Sequence, residues 1–192
     1  MLKGFEETIR ILSASLDTIN EKMFNKLLSD CCIALAGGKK VVVSGLGKNV
    51  PICEKFVGTM NSLGMDAAFL HTNSAVHGDM GIVKPEDVVI ILTKSGETAE
   101  SVYLAKLLEK RGSHMWLLSF EKDSTLSKMI ENQIILGLEH EGDIWNIMPN
   151  NSTTLNLIIL QNLAIRIAKE KHIGLEVFKS NHPGGHIGEL LR

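Results

Sequence analysis

Apolar residues recur at helical spacing near the start of the chain, at Leu2, Phe5, Ile9, Leu12, Leu16, Ile19, Met23 and Leu27. This predicts a helical segment over residues 1–36. Gly37 and Gly38 end it, as glycine commonly does after a helix. The pattern then changes. Five short runs, "KKVVVSG", "DAAFLH", "DVVIILT", "HMWLLSF" and "NQIILGL", are apolar throughout rather than alternating, which suits strands buried on both faces. Helical stretches fall between and after them, at about Val50 to Leu63, Thr98 to Arg111, Ser124 to Ile130 and Ser152 to Lys171. Strand and helix in alternation predict an α/β fold: an open, doubly wound, five-stranded parallel sheet with helices on both faces. Ligands of such sheets bind outside the carboxyl ends of the strands. That rule places "SGLGKN", "SAVHGD", "TKSGET" and "EHEGD" along one edge. No repeat or linker interrupts the pattern, so one domain over residues 1–192 is the expectation.

Composition narrows the function classes. The chain has 192 residues, 44% of them hydrophobic, and a formal charge of -2, enough for one sizeable core and too little positive charge to favour nucleic acid or an anionic membrane. Glu6, Glu7, Asp17 and Glu21 come too early for a secretory signal. "LNLIILQNLAIRIA" contains Gln161, Asn162 and Arg166 and reads as a buried helix rather than a membrane span. Cys31, Cys32 and Cys53 lack metal-ligand spacing and read as core residues. The expectation is a reduced, soluble, cytoplasmic protein with neither nucleic acid nor membrane as partner.

Two strand ends carry candidate chemistry. "GLGKN" invites a nucleotide reading and fails it. A dinucleotide fingerprint needs glycine where Val50 stands, and a P-loop needs glycine at Val42 and a hydroxyl at Asn49. Gly45 and Gly47 either let a helix approach the sheet or shape a turn that aims Lys48 at an anionic ligand. "TKSGET" gathers Thr93, Ser95 and Thr98 around Gly96 just before a helix. Side-chain hydroxyls, backbone N–H groups and the helix dipole there form an anion site. The alternative is ordinary N-capping by Ser95 or Thr98. "PNNSTT" repeats the device at the start of the last long helix, with Ser152, Thr153 and Thr154, and two such starts on one edge favour a phosphate.

Acid–base candidates lie nearby. His77 in "HGDMG" and His182 in "NHPGG" sit in predicted loops, where functional residues concentrate. Glu141 follows the fifth strand on the binding edge, although a solvated surface glutamate fits equally well. These groups suit proton transfer. No His/Cys cluster resembles a zinc site, and no "GxSxG" marks a hydrolase nucleophile.

"GLGKN", "NSAVHGDMGIV", "SGET", "NNSTT" and "NHPGGHIGELL", in this order, resemble the sugar isomerase (SIS) domain, and within it the D-arabinose-5-phosphate isomerases. The resemblance runs from about Val41 to Arg192. It implies an aldose–ketose isomerase acting through a cis-enediol, with no organic cofactor. It also implies a homotetramer in which His182 reaches a neighbouring subunit's site. The implied acid–base and electrostatic set is Lys48, His77, Glu97, Glu141 and His182. Ser44, Ser95, Thr98 and Ser152–Thr154 would hold the phosphate. Burial is expected to raise the basicity of a glutamate base at the pocket edge, Glu141 or Glu97.

Three departures from the family pattern stand out. Lys94 replaces an expected asparagine. "GDIWNIMPN" replaces the usual segment, bringing Asp143, Trp145 and Asn146 towards the expected sugar pocket. Longer members continue into a pair of cystathionine-β-synthase-type domains, and this sequence stops where they would begin. Other readings are an isomerase of a hexulose or heptose phosphate and a phosphosugar-binding module without turnover.

Overall fold

The computed structural model describes residues 3–190; Met1, Leu2, Leu191 and Arg192 lie outside the described residues, and Leu2 of the apolar pattern with them. Five strands form one parallel sheet: β1 (Val41–Gly45), β2 (Ala67–His71), β3 (Val88–Leu92), β4 (His114–Ser119) and β5 (Gln133–Ile135), in the order β2-β1-β3-β4-β5. Every residue of β1 and β3 is buried, so their unbroken apolar character follows from cover on both faces. Ser44 is the polar exception in β1. Its hydroxyl is satisfied inside the sheet by Thr72, at 3.0 Å.

The N-terminal helical segment is two helices, α1 (Lys3–Leu16) and α2 (Glu21–Ala36). The break comes at Asn20, whose side chain accepts from the Met23 N–H at 3.1 Å and starts α2 as an N-cap. After β1, α3 (Val50–Ser62) packs with α2 and α6 (Asn151–Glu170) on one face of the sheet, against Val41, Val43, Ile90 and Trp116. On the other face α4 (Ala99–Glu109) and the short α5 (Thr125–Met129) cover Val42, Val89, Ile91 and Leu117. Residues Ser74–Ile82, expected as loop, form two 3₁₀ turns joined at Gly78, which takes φ 115°. The tail, left without elements by the sequence pattern, folds into α7 (Leu175–Ser180) and α8 (Gly185–Leu190). Among the described residues no helix is long and apolar enough to cross a membrane.

Candidate active site

Adjacent strands β1 and β3 send their chains to opposite faces, into α3 and α4. That makes the crevice at their carboxyl ends the switch point of the sheet. A cleft of about 150 Å³ opens there, lined by Lys48, Lys94, Ser95, Thr98, Ser152 and Asn156 among others. It is smaller than the roughly 300–1,000 Å³ of small-molecule pockets, so the groups of one chain form a floor rather than an enclosed site. A larger concavity of about 390 Å³ lies at the amino edge, beside Asp30, Lys39, Glu86 and His114. Lys39 and Glu86 pair with each other there, and none of the motif residues reaches it.

The turn after β1 is shaped by close approach. A Cβ on Gly45 would lie 2.8 Å from Asn49 Cβ, and Gly47 takes φ 56°. α3 thus closes on the sheet, and Lys48 lies exposed at the cleft.

The turn after β3 is locked from behind. Thr93 Oγ1 accepts from the Gly96 N–H at 3.1 Å, and the Lys94 carbonyl accepts from Phe120 N and Ser119 Oγ, both at 3.2 Å. Gly96, at φ 67°, packs on Ser124 with no room for a Cβ. Ser95 and Thr98 then face the cleft. Ser95 Oγ accepts from the Glu97 N–H, whereas Thr98, the N-cap residue of α4, makes no side-chain capping bond. The first-turn N–H groups of α4 are therefore not capped by Thr98. An uncapped helix start facing a cleft suits an anion.

Glu97 is turned aside. Its carboxylate accepts from Thr125 N at 2.6 Å and Thr125 Oγ1 at 2.8 Å, fastening the start of α5. Those two bonds hold its carboxyl below the usual carboxylate range.

The start of α6 departs from expectation. Glu141 is fully buried, not a surface residue, and its Oε2 accepts from Asn150 N and Ser152 N, each at 2.9 Å. Two backbone N–H groups at this helix start are therefore already taken by a carboxylate of the same chain, while Ser152 itself lines the cleft. Lys94 Nζ lies 2.7 Å from Oε1 as a close ion pair. Burial is the largest single influence on this carboxyl and pushes it up. Lys94 and the N–H groups of Ser152 and Asn150 together outweigh burial and hold it below its ordinary 4.5. The expectation that burial raises Glu141's basicity is corrected: its partners decide the sign.

Other expected residues separate from the cleft. Ser44 is buried with Thr72 and cannot meet a ligand there. Thr153 and Thr154 hydroxyls both turn back to the Asn150 carbonyl, at 2.9 and 3.1 Å. His77 is exposed at the carboxyl end of β2, outside the cleft lining. His182 lies at the far edge. Its Nδ1 is 2.7 Å from the Phe178 carbonyl, and neighbouring Asn181 bonds Asn61 and Ser62 at the C-terminus of α3. Trp145 and Asn146 do not line the cleft either. Asp143 gathers the N–H groups of Trp145, Ile147 and Met148, and the Asn146 side chain accepts from Glu141 N at 2.7 Å.

One residue of the cleft went unread in the sequence. Asn156 donates to Asn49 at 2.9 Å across the cleft floor, and its own Oδ1 is buried without a partner among the described residues. A signal existed: Asn156 follows Ser152 by one helical turn and shares its face. Among the described residues no three His, Cys, Asp or Glu side chains converge as metal ligands.

The SIS domain pattern matches residues 34–166. The chain belongs to the SIS domain family. The Pseudomonas aeruginosa arabinose 5-phosphate isomerase KdsD is 32% identical to this SIS domain protein over 186 residues, 97% of this chain and 57% of that protein. The chain spans about half the length of the curated relatives it matches. Among solved structures, an Escherichia coli CFT073 protein in complex with arabinose 5-phosphate is 27% identical, with a TM-score of 0.85 and 94% of each chain covered. A Bacteroides fragilis protein superposes with a TM-score of 0.88 at 25% identity, covering 97% of this chain and 99% of its own.

Proposed function

We propose that the protein is an aldose–ketose isomerase of a phosphorylated sugar, with D-arabinose 5-phosphate and D-ribulose 5-phosphate as its substrate pair. The observation that carries this reading is the cleft at the β1/β3 switch point. There an uncapped α4 start, the Ser95 and Thr98 hydroxyls and the Lys48 ammonium face one small volume. A phosphate needs donors and positive charge, and this floor offers both. The likeness to KdsD, and to an E. coli protein in complex with arabinose 5-phosphate, supports the choice of sugar.

Isomerisation takes the proton from the carbon beside the carbonyl, passes through a cis-enediol and returns the proton to the neighbouring carbon. Lys48 stabilises the developing oxyanion, a role in which one donor contributes about 2.7–4 kcal/mol. Glu141, fully buried and paired with the cleft-lining Lys94, is the carbon base and reaches the sugar once that ion pair opens. Glu97 is committed to Thr125 and serves by fixing the phosphate loop to α5. His182, remote from its own cleft, acts as the oxygen acid–base group of a neighbouring subunit in a homotetramer. His77 assists at the carbonyl from the β2 side. Remote binding of the phosphate holds the reacting carbons in place.

The test is a panel of pentose, hexulose and heptose phosphates with their unphosphorylated counterparts, assayed for aldose–ketose interconversion. Turnover is expected with arabinose 5-phosphate and ribulose 5-phosphate and not with free arabinose. Equal turnover of the free sugar would contradict the phosphate anchor. Binding of phosphosugars without any turnover would favour a sensing module instead.

A further inference from the structure

Lys94 belongs to two systems at once. Its backbone carbonyl is pinned by Phe120 and Ser119, so the start of its side chain is fixed. Its ammonium meets a carboxylate oxygen that has no other partner among the described residues, since both N–H donors from α6 go to the other oxygen. Yet the side chain is 41% exposed and lines the cleft beside Ser95 and Thr98. An ammonium has three protons on a flexible stem and is a point charge rather than a fixed fork. It can therefore be shared between Glu141 and an anion arriving at the α4 start.

We propose that Lys94 is a positioning residue that couples occupancy of the anion site to the proton affinity of Glu141. A bound phosphate draws the ammonium towards itself and leaves the buried carboxylate free to accept a proton. This rests on the phosphosugar reading of the cleft. It removes a difficulty in that reading, because a carboxylate held low by Lys94 is a poor base until that ion pair loosens. The charged group facing Glu141 from the β3–α4 turn is Lys94, while α6 brings only N–H groups and the Ser152 hydroxyl. In its own segment His140 is engaged by Gly142 N, and the carboxylate of Asp143 by Trp145, Ile147 and Met148. Coupling of this kind is reciprocal: whatever weakens the carboxylate's hold on Lys94 must strengthen anion binding.

The test is calorimetric binding of inorganic phosphate, at about neutral pH, to wild type, Lys94→Asn, Glu141→Gln and the double variant. Lys94→Asn is expected to weaken binding about tenfold, the effect of one charge-assisted contact. Glu141→Gln is expected to tighten it several-fold, and that gain vanishes in the double variant. Equal weakening by the two single substitutions, or a gain that persists without Lys94, overturns the coupling while leaving the anion site standing. No phosphate binding to wild type overturns both. If Glu141→Gln does not fold, the wild-type protein decides. The carboxyl carbon signal of Glu141 is titrated with acid, with and without saturating sulfate, an anion of fixed charge in this range. The midpoint is expected to rise with sulfate in wild type and to stay put in Lys94→Asn. A midpoint unmoved by sulfate in wild type overturns the proposal.

Discussion

At the scale of single residues, Glu141 is the pivot of the site. Its charge is held by one ammonium and two backbone N–H groups, so the ionised form stabilises the fold. The carboxyl lies below its ordinary 4.5, so this stability is present above that value and lost as pH falls through the lowered one. Wild type is expected to lose stability relative to Glu141→Gln as pH drops below the ordinary carboxyl value of 4.5 and through the lowered one. Denaturant melts at several pH values check this, and parallel pH curves for the two proteins would contradict it. Glu141→Gln is also expected to lower kcat by about 100-fold or more, the usual scale for a lost acid–base group. An unchanged kcat would remove Glu141 from the role of base. Little of this was legible in the sequence. Glu141 and Lys94 are far apart along the chain, and nothing in local patterning pairs them. The hydroxyl count misled as well: Ser44, Thr153 and Thr154 have the right chemistry for phosphate, but strand burial and back-bonding to Asn150 consume it.

At the scale of elements, the β3–α4 turn separates capping from ligand binding. Thr98 is an N-cap residue whose side chain caps nothing. Thr98→Ala is therefore expected to leave the melting temperature nearly unchanged, whereas loss of a true cap costs about 1 kcal/mol. The same substitution, with Ser95→Ala, is expected to raise KM for the phosphosugar about 100-fold or more, the sum of two hydrogen bonds to a charged phosphate. A lowered melting temperature with an unaltered KM would restore the capping reading. Gly96 is a harder constraint, since it takes φ 67° against Ser124. Gly96→Ala is expected to destabilise the fold by about 2 kcal/mol or more, from left-handed strain and steric conflict together. Thermal melts of the variant check it. Elements were the most legible level. Buried strands announced themselves as unbroken apolar runs, and the edge named by the strand-end rule is where the β1/β3 cleft opens. The tail escaped because α7 and α8 are short and carry exposed apolar residues, such as Leu175 and Leu190, that show no clear face.

For the whole molecule, His182 stands apart from its own cleft. Asn181 ties that segment to the C-terminus of α3, at the amino edge of the sheet, while Lys48 stands at the carboxyl edge. If His182 serves catalysis, it serves a second copy. Lys48→Ala and His182→Ala are each expected to be inactive, and subunits of the two, mixed and reassembled, are expected to recover part of the activity. Failure to recover, with mixed oligomers demonstrated, would contradict a shared site. The fold class was readable from alternation alone, whereas the placement of His182 was not, because it depends on where a short tail docks.

An isomerase built on this cleft must move a proton between neighbouring carbons of a phosphosugar. Incubation of the protein with arabinose 5-phosphate or ribulose 5-phosphate in deuterated water, followed by NMR, reads that step directly. Deuterium is expected at the carbon beside the carbonyl, and its incorporation is expected to be lost in Glu141→Gln. Interconversion without solvent deuterium, or no exchange with either sugar, would contradict it.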